Sequence, residues 1–104
     1  MALLPEFFAD VTGFQWDAGN ADKNWLRHRV TQAEAEQVFF NRPILVADDE
    51  GHSDAESRFF LLGLTDSGRF LSVVFTIRGS LVRVISARKM TRRERTHYGE
   101  VTNS

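Results

Sequence analysis

Residues 58–88 read RFFLLGLTDSGRFLSVVFTIRGSLVRVISAR, which are three apolar segments separated by two short turns that contain glycine. Successive side chains of a strand point to opposite faces, so Leu71 and Phe75 in the middle segment share one face. Gly68 and Gly79 supply the positive φ that tight reversals need. The stretch therefore predicts a β-meander whose middle strand is at least partly covered on both faces. The predicted strands cover residues 58–65, 69–78 and 81–88.

The residues that precede this meander predict two helices and a fourth strand. The first helix ends at about His28. The second begins at Thr31, because Glu34 follows it at the spacing of a capping box, and it runs to residue 39 or 40, before Pro43. The other predicted elements are a short strand over 44–47 and an exposed acidic loop over 48–54.

The last predicted element is a short helix that begins with a second capping box, from Thr91 to Glu94, and ends at about Tyr98. The order of elements is ααββββα, and no repeat or low-complexity segment divides it. The sequence therefore predicts a single α+β domain over residues 1–104. In this domain, two N-terminal helices pack on a four-stranded, mainly antiparallel sheet with a short C-terminal helix.

The composition excludes several classes of function. The chain has no cysteine, which excludes disulfide frameworks, thiolate nucleophiles and cysteine-ligated metals. It has no GxSxG, P-loop, GxGxxG or HExxH motif. No run approaches the roughly 20 apolar residues of a membrane-spanning helix, and Glu6 and Asp10 stand where a signal peptide carries basic residues. We expect a cytoplasmic protein with no membrane partner, no cofactor and no metal.

Charge is distributed unevenly along the chain. Residues 1–56 contain 11 acidic and 4 basic residues, whereas residues 57–104 contain 3 acidic and 9 basic residues, although the net charge is only −1. The basic half can therefore bind an anionic polymer without making the whole chain strongly cationic. Ion pairing between the two halves explains the same asymmetry equally well.

The densest charge feature is the basic segment, residues 78–95, in which seven basic residues stand against Glu94 alone. Arg88 ends a predicted strand and Arg92 begins a helix, so both side chains have rigid supports. A guanidinium group binds two phosphate oxygens at once, and the first turn of a helix adds backbone N–H groups that have no partner within the helix. We interpret the segment as a phosphate-contacting surface, the alternative being a solvated basic face. Strict alternation places Arg83 on the opposite face of its strand from Arg88.

Three further features are candidates for chemistry. His28 is the best candidate for a general acid or base, because imidazole changes charge near neutral pH; the alternative is a residue favoured only by the helix C-terminus. Tyr98 either contacts the substrate, by stacking or proton donation, or packs the last helix on the sheet. The acidic loop has oxygen ligands that suit Mg²⁺ or Ca²⁺ but matches no known loop pattern, so we interpret it as solvated.

Several motifs occur in order along the chain: FQWD at 14–17, Asn24, the Arg27-His28 pair, and above all ISARKMTRRERTHY at 85–98. Together with further matching positions they resemble the BrnT family of bacterial toxins over about residues 14–100. The further positions are His52, Ser53, Glu56, Arg58, Gly63, Arg78 and Gly79.

The resemblance implies a RelE-like ribonuclease fold for residues 14–100, with residues 1–13 as an N-terminal extension. It also implies RNA cleavage that arrests translation and growth, and neutralisation by a BrnA-like antitoxin. Contact with DNA is implied only indirectly, through that antitoxin, in a complex that represses its own operon.

The resemblance also implies which residues act. The implied catalytic residues are His28, Glu56, Arg58, Arg88, Arg92 and Tyr98. The implied RNA contacts are Lys23, Arg27, Lys89, Arg93 and Arg95. The chain departs from the usual pattern of the family at Asn20, where the family carries Lys, and at Arg29, where it carries Gly. Lys23, one turn after Asn20, is a candidate replacement for the missing charge, and this departure bears on activity rather than on fold.

Metal-free cleavage of RNA needs a base for the 2′-hydroxyl proton, cations for the charge on the phosphorane and an acid for the leaving oxygen. We assign the titrating role to His28 and charge stabilisation to the arginines, because arginine remains protonated. Two other functions compete with this one. The first is a non-catalytic component of a repressor complex that binds its partner through the basic face. The second is a metal-dependent nuclease that uses Asp48 and Asp49.

Overall fold

The computed structural model describes residues 10–48 and 57–103, which form a five-stranded sheet and three helices. The strands are β1 (Gly13–Phe14), β2 (Leu45–Asp48), β3 (Phe59–Leu64), β4 (Phe70–Arg78) and β5 (Leu81–Lys89). The helices are α1 (Ala18–His28), α2 (Gln32–Gln37) and α3 (Arg92–Thr102). The mixed α+β class is confirmed, as are two helices before the meander and one after it.

The sheet has the order β1-β5-β4-β3-β2, so β4 is central, as the alternating pattern indicates. The pairs among β2, β3, β4 and β5 are antiparallel, whereas β1 pairs in parallel with β5. The prediction of four strands was wrong because β1 has only two residues, which are too few for a visible alternation. Backbone hydrogen bonds at its ends, from Thr12 to Ser80 and from Gln15 to Val82, hold it in place.

The sheet is covered on both faces. On one face, Leu71, Val73 and Phe75 of β4 pack against α2 and the residues around it in the larger core. Ring contacts at 5.0–5.5 Å join Phe75 to Phe39 and Phe59. On the opposite face, Tyr98 of α3 packs with Phe70 and the smaller apolar cluster. α2 and α3 therefore lie on opposite faces of the sheet.

All three helices begin with capping boxes, of which two were visible as Ser/Thr-x-x-Glu spacings. Thr31 with Glu34 and Thr91 with Glu94 cap α2 and α3 as predicted. In α1, Asp17 and Asn20 form the same reciprocal pair of hydrogen bonds. Two helix ends differ from prediction: α2 stops at Gln37, because residues 38–40 continue as turns, and α3 continues to Thr102.

A β-bulge in β5 corrects the expected orientation of Arg83. Val74 pairs with Ser86 but the next residue, Phe75, pairs with Val84, so Ile85 has no cross-strand partner. The extra residue shifts the alternation of side chains in β5 by one position. As a result, Arg83 lies opposite Thr76, and Arg88 lies opposite Ser72. Since Ser72 and Thr76 share a face of β4, Arg83 and Arg88 share that face too. The prediction that Arg83 and Arg88 lie on opposite faces was wrong, because strict alternation assumes a strand without a bulge.

Two buried asparagines of α1 replace a neighbouring strand along the outer edge of β5. The amide of Asn20 donates to the carbonyl of Val84 at 3.0 Å, and Oδ1 of Asn24 accepts from the amide of Ala87 at 3.0 Å. These side chains lie one helical turn apart and are only 4% and 2% exposed. Because β1 covers only the first two residues of β5, the asparagines satisfy backbone groups that the sheet leaves unpaired.

Candidate functional site

The C-terminus of α1 is held against the sheet by a single arginine side chain. Arg69 precedes β4, and its Nη1 donates to the carbonyl of Arg29 at 2.9 Å and to both oxygens of Glu34 at 3.0 and 3.1 Å. Its Nη2 lies 3.4 Å from the carbonyl of His28. Arg29 itself is in the left-handed region with φ 54°, which ends the helix. His28 is therefore presented at a helix end tied to the sheet.

Arg88, at the end of β5, is held by a bidentate ion pair with Glu94 of α3. Nη1 and Nη2 donate to the two carboxylate oxygens at 2.8 and 2.9 Å. Glu94 also accepts from the backbone amide of Thr91 at 2.9 Å, so one carboxylate serves both the helix cap and the arginine. The guanidinium of Arg88 holds the pKa of Glu94 below its ordinary value, and the carboxylate raises the pKa of Arg88. The charge of Arg88 is thus fixed in position.

These two residues, His28 and Arg88, line one cleft, which we call the histidine cleft. Its volume is about 460 Å³, and α1 supplies one wall while the end of β5 supplies the other. Its lining residues are Arg27, His28, Arg29, Arg88, Lys89, Met90 and Thr91. Within the described residues no hydrogen-bond partner occupies either ring nitrogen of His28, so the ring can interact with a ligand. Among residues 10–48 and 57–103, no acidic side chain lines this cleft.

A second and larger cleft adjoins the first; we call it the arginine cleft. It has a volume of about 790 Å³ and lies between the start of β4 and the exposed side of α3. Its lining residues are Gly68, Arg69, Phe70, Lys89, Met90, Arg92, Arg95 and Thr96. The two clefts share Lys89 and Met90, so they are neighbours, and basic side chains line both of them. Arg88 and Arg92, which both belong to the implied catalytic residues, line different clefts.

Arg58 lies at the other end of the sheet from this surface. The register continues from the pair Phe59 and Phe75, which puts Arg58 beside Thr76, whereas Arg88 is opposite Ser72. Four residues along β4 and two strand spacings across it place the Cα atoms of the two arginines about 16 Å apart. Arg58 lines neither of the two clefts, and its role at the reacting phosphate stays a prediction.

Lys23 and Arg93 are exposed and line neither cleft, although both belong to the implied RNA-binding set. Arg83, on the same face as Arg88, is bound instead to Asp17 at 3.1 Å. Pairing between acidic and basic halves of the chain thus occurs at Asp17 and Glu34, while the surface of the two clefts remains electropositive.

Tyr98 occupies a buried position between α3 and the sheet. Its hydroxyl donates to the carbonyl of Pro43 at 2.6 Å, its ring meets Phe70 edge to face, and only 4% of the residue is exposed. Burial also raises the pKa of Tyr98 above its ordinary value. These contacts correspond to the packing alternative for Tyr98.

Glu56 and most of the acidic loop, residues 49–54, lie outside the described residues. Among residues 10–48 and 57–103, no group of His, Asp and Glu side chains is arranged to hold a metal ion. In the same part of the chain, none of the helices has the length and apolar character that a membrane crossing requires.

Two residues that shape the site were not singled out from the sequence for this role. Glu94 was visible only as a capping residue, because its pairing with Arg88 depends on the turn between β5 and α3. Arg69 was visible only as the first residue of a strand, and its contacts with α1 and α2 join segments about 35 to 41 positions apart. Neither contact has a local sequence pattern.

Asn20, the departure from the usual family pattern, lies outside both clefts. Besides Val84, its amide donates to the carbonyl of Gln15 at 3.1 Å, and its oxygen caps α1. The side chain is therefore fully used in attaching α1 to the sheet.

Fold and clefts together define a small α+β protein with a histidine set in an arginine-rich surface, a class suited to ligands that carry phosphate. A family model described as "Ribonuclease toxin, BrnT, of type II toxin-antitoxin system" matches residues 16–94. The chain belongs to this BrnT family, and the resemblance seen in the sequence is confirmed.

The fold is also similar to a solved structure, the crystal structure of the Brucella abortus ribonuclease toxin BrnT. The TM-score is 0.59, with 21% sequence identity, over 79% of this chain and 100% of that one. At this identity the likeness shows the shared fold. No curated protein sequence matches the chain.

Proposed function

We propose that this member of the family is an endoribonuclease that cleaves RNA in the histidine cleft by metal-independent acid/base chemistry. The observation that carries the proposal is that α1 and β5, distant in sequence, bring His28 and Arg88 to one cleft of about 460 Å³, whose described lining residues include no acidic side chain. A titratable imidazole and a fixed cation are the two groups that such a reaction requires.

The proposed reaction is an attack of the RNA 2′-hydroxyl on the adjacent phosphorus, which breaks the bond to the 5′ oxygen of the next nucleotide. The unprotonated ring of His28 accepts the 2′-hydroxyl proton, and the protonated ring or a water molecule returns one to the leaving oxygen. His28 is the one histidine among the described residues that line the cleft, and imidazole is the side-chain type suited to proton transfer near neutral pH.

Arg88 stabilises the negative charge that develops on the phosphorane. Glu94 neutralises part of its charge but holds it in a fixed orientation, which reduces the reorganisation needed when the substrate arrives. Arg27 and Lys89 add cations at the rim and are the RNA contacts nearest the reacting phosphate. Contacts of Arg58 and Glu56 with RNA stay predictions. Tyr98 contributes by packing α3 against the sheet.

The test is cleavage of RNA by the purified protein in EDTA. We expect His28→Ala to reduce cleavage about 100-fold or more, the usual scale for loss of a proton-transfer group. His97→Ala is the matched control, because His97 is an exposed histidine on α3 that lines neither cleft. Full activity of His28→Ala would contradict the assignment, as would cleavage that EDTA abolishes.

A second pair of variants separates charge from geometry. Arg88→Lys keeps the charge but loses the bidentate pair, so we expect a large decrease in kcat. Arg83→Lys is the matched change, because Arg83 is also an ion-paired arginine on the same face of β5 but lies outside the clefts. Equal effects of the two substitutions would show that ion pairing, and not a role at the phosphate, explains the loss.

We further propose that the activity inhibits translation and growth in the cytoplasm, and that a BrnA-like antitoxin neutralises it by binding over the clefts and linking the complex to operator DNA. Membership of a type II family supports a protein antitoxin as partner. The test is growth and RNA integrity after induction of this gene, with and without the adjacent antitoxin gene. Unchanged growth with intact RNA would contradict toxicity.

A non-catalytic role in a repressor complex is the second candidate. It is favoured by Trp25 and Leu26, large apolar side chains that are 45% and 70% exposed and precede the residues of the histidine cleft. A partner that covers them also covers the cleft. A stable complex from a protein that cleaves no RNA would favour this function over the first.

A further inference from the structure

The larger of the two clefts has no role in the reaction proposed above. We propose that the arginine cleft binds a phosphate next to the one that is cleaved, so that efficient cleavage requires RNA with at least two phosphodiester groups. This inference rests on the ribonuclease function and adds a substrate requirement to it.

The two clefts are arranged so that one strand of RNA can occupy both. They share Lys89 and Met90 as a common border, with the histidine cleft on the α1 side and the arginine cleft on the α3 side. Its volume of about 790 Å³ exceeds that of the histidine cleft, and its walls are the start of β4 and one side of α3. An RNA strand that leaves the histidine cleft across Lys89 would enter the arginine cleft next.

The cations of the arginine cleft differ in whether a carboxylate already binds them. Arg69 is paired with Glu34, as Arg88 is paired with Glu94 in the neighbouring cleft. Lys89, Arg92 and Arg95 have no carboxylate partner within residues 10–48 and 57–103. In the arginine cleft, a ligand can therefore reach Lys89, Arg92 and Arg95 without displacing a carboxylate, whereas Arg69 is already bound to Glu34.

Arg95 has a fixed support within this cleft. Its guanidinium carbon lies 4.3 Å from the centroid of the Phe70 ring, and that ring is braced in turn by Tyr98. Arg92 lies one turn before Arg95, and Thr96 lies one turn after Arg92, so all three line the cleft, whereas Arg93 is rotated by about 200° from Arg95 and lines neither cleft. The cleft is therefore a partly ordered anion site on a rigid helix.

RNA fits this site better than an acidic peptide does. The site continues into the cleft where phosphate is expected to react, and guanidinium forks match phosphate oxygens in pairs. An acidic segment of a partner protein is the other occupant that the charge would allow, and the experiment below separates the two.

Binding is measured first, with an RNA oligonucleotide that carries 2′-deoxy substitutions so that it cannot be cleaved. Fluorescence anisotropy between 50 and 200 mM NaCl, roughly the range over which phosphate contacts weaken strongly, gives the slope of log affinity against log salt. We expect Arg95→Gln and Arg92→Gln each to reduce the magnitude of this slope by about 0.7, the value for one phosphate contact on a single strand. Affinity at low salt should fall about fivefold.

Arg93→Gln is the matched variant, because it makes the same change of charge on the same helix outside the cleft. We expect its effect on the slope to be less than half that of Arg95→Gln. Equal effects of the three substitutions would show a diffuse basic surface and overturn the inference. An unchanged slope in Arg95→Gln and Arg92→Gln, with weaker binding of an acidic protein partner, would overturn it in favour of the peptide.

Cleavage is measured next, on a dinucleotide with one phosphodiester and on the same dinucleotide extended by one nucleotide on its 5′ or 3′ side. Wild-type protein should cleave one extended form with a higher kcat/KM, and Arg95→Gln should lose most of that advantage through KM. An equal loss on the dinucleotide would place Arg95 at the reacting phosphate and overturn the inference. If the wild type cleaves no RNA, the ribonuclease proposal fails, whereas the salt slopes still decide the phosphate site.

Discussion

Replacement of Asn24 by alanine tests how α1, and with it His28, is attached to the sheet. The side chain is 2% exposed, and its Oδ1 accepts from the amide of Ala87 in β5 at 3.0 Å. Its Nδ2 donates to the carbonyl of Asn20 at 3.0 Å. Asn24→Ala removes both hydrogen bonds at once and leaves the amide of Ala87 without a partner inside the protein.

The expected cost follows from these contacts. A buried amide left without an acceptor costs about 1–3 kcal/mol, and the second hydrogen bond contributes about 1 kcal/mol. Alanine has a higher helix propensity than asparagine by about 0.6 kcal/mol, which offsets part of the loss. We therefore expect Asn24→Ala to lower the free energy of unfolding by roughly 2–3 kcal/mol. Because α1 then packs less firmly on β5, RNA cleavage should also decrease.

Urea denaturation followed by circular dichroism measures this change, with Lys23→Ala as the control. Lys23 is the preceding residue of the same helix and is exposed, so its substitution should alter stability by no more than about 0.5 kcal/mol. A loss below about 0.5 kcal/mol in Asn24→Ala would refute the idea that this side chain replaces a strand neighbour.

Three further predictions concern the helix–sheet contacts. Tyr98→Phe removes the hydrogen bond to Pro43 and should cost about 1 kcal/mol in urea denaturation without changing kcat; a large loss of kcat in a folded variant would instead indicate proton donation. Gly63→Ala should destabilise the protein by about 1–3 kcal/mol, because the added Cβ meets a backbone carbonyl at 3.2 Å. Gly99→Ala should stabilise α3 by about 0.5–1 kcal/mol, because its Cβ meets nothing within 4 Å. Similar changes in the urea denaturation midpoints of the two variants would contradict this. The guanidinium of Arg88 holds the pKa of Glu94 below the ordinary 4.5, so the ion pair stabilises the fold fully above about pH 4.5 and loses this effect as the pH falls further. In thermal unfolding, Glu94→Gln should therefore make stability depend less on pH in the acid range. The same acid dependence in Glu94→Gln and in the wild type would contradict this.

The elements that were predicted well are those whose signals are local. Thr31 and Thr91 cap their helices through residues three positions later, and the meander shows alternation and glycine turns within single segments. The missed elements lack such signals. β1 consists of two residues that become a strand only by pairing with β5, and the bulge at Ile85 appears only in the register between two strands.

The candidate site divides in the same way. His28 and Arg88 were singled out by residue type and by their positions at the ends of elements, and the structure brings them to one cleft. Arg58 was carried over with them, although the sheet register places it about 16 Å from Arg88. For Tyr98, contact with the substrate and packing of the last helix were both open. Its buried position between α3 and the sheet is the one expected for packing.

By itself, the sequence determined the α+β class, the starts of α2 and α3, the meander, the basic segment and the family, because each depends on residue types at short spacing or on motifs in order. Only the tertiary structure decided which cations are bound by carboxylates and which are free, and which of them share a cleft with His28. Those properties arise from contacts such as Arg69 with Glu34 and Asn24 with Ala87, between segments far apart in the chain. Short-range patterns carry no information about such contacts, since packing alone brings the segments together.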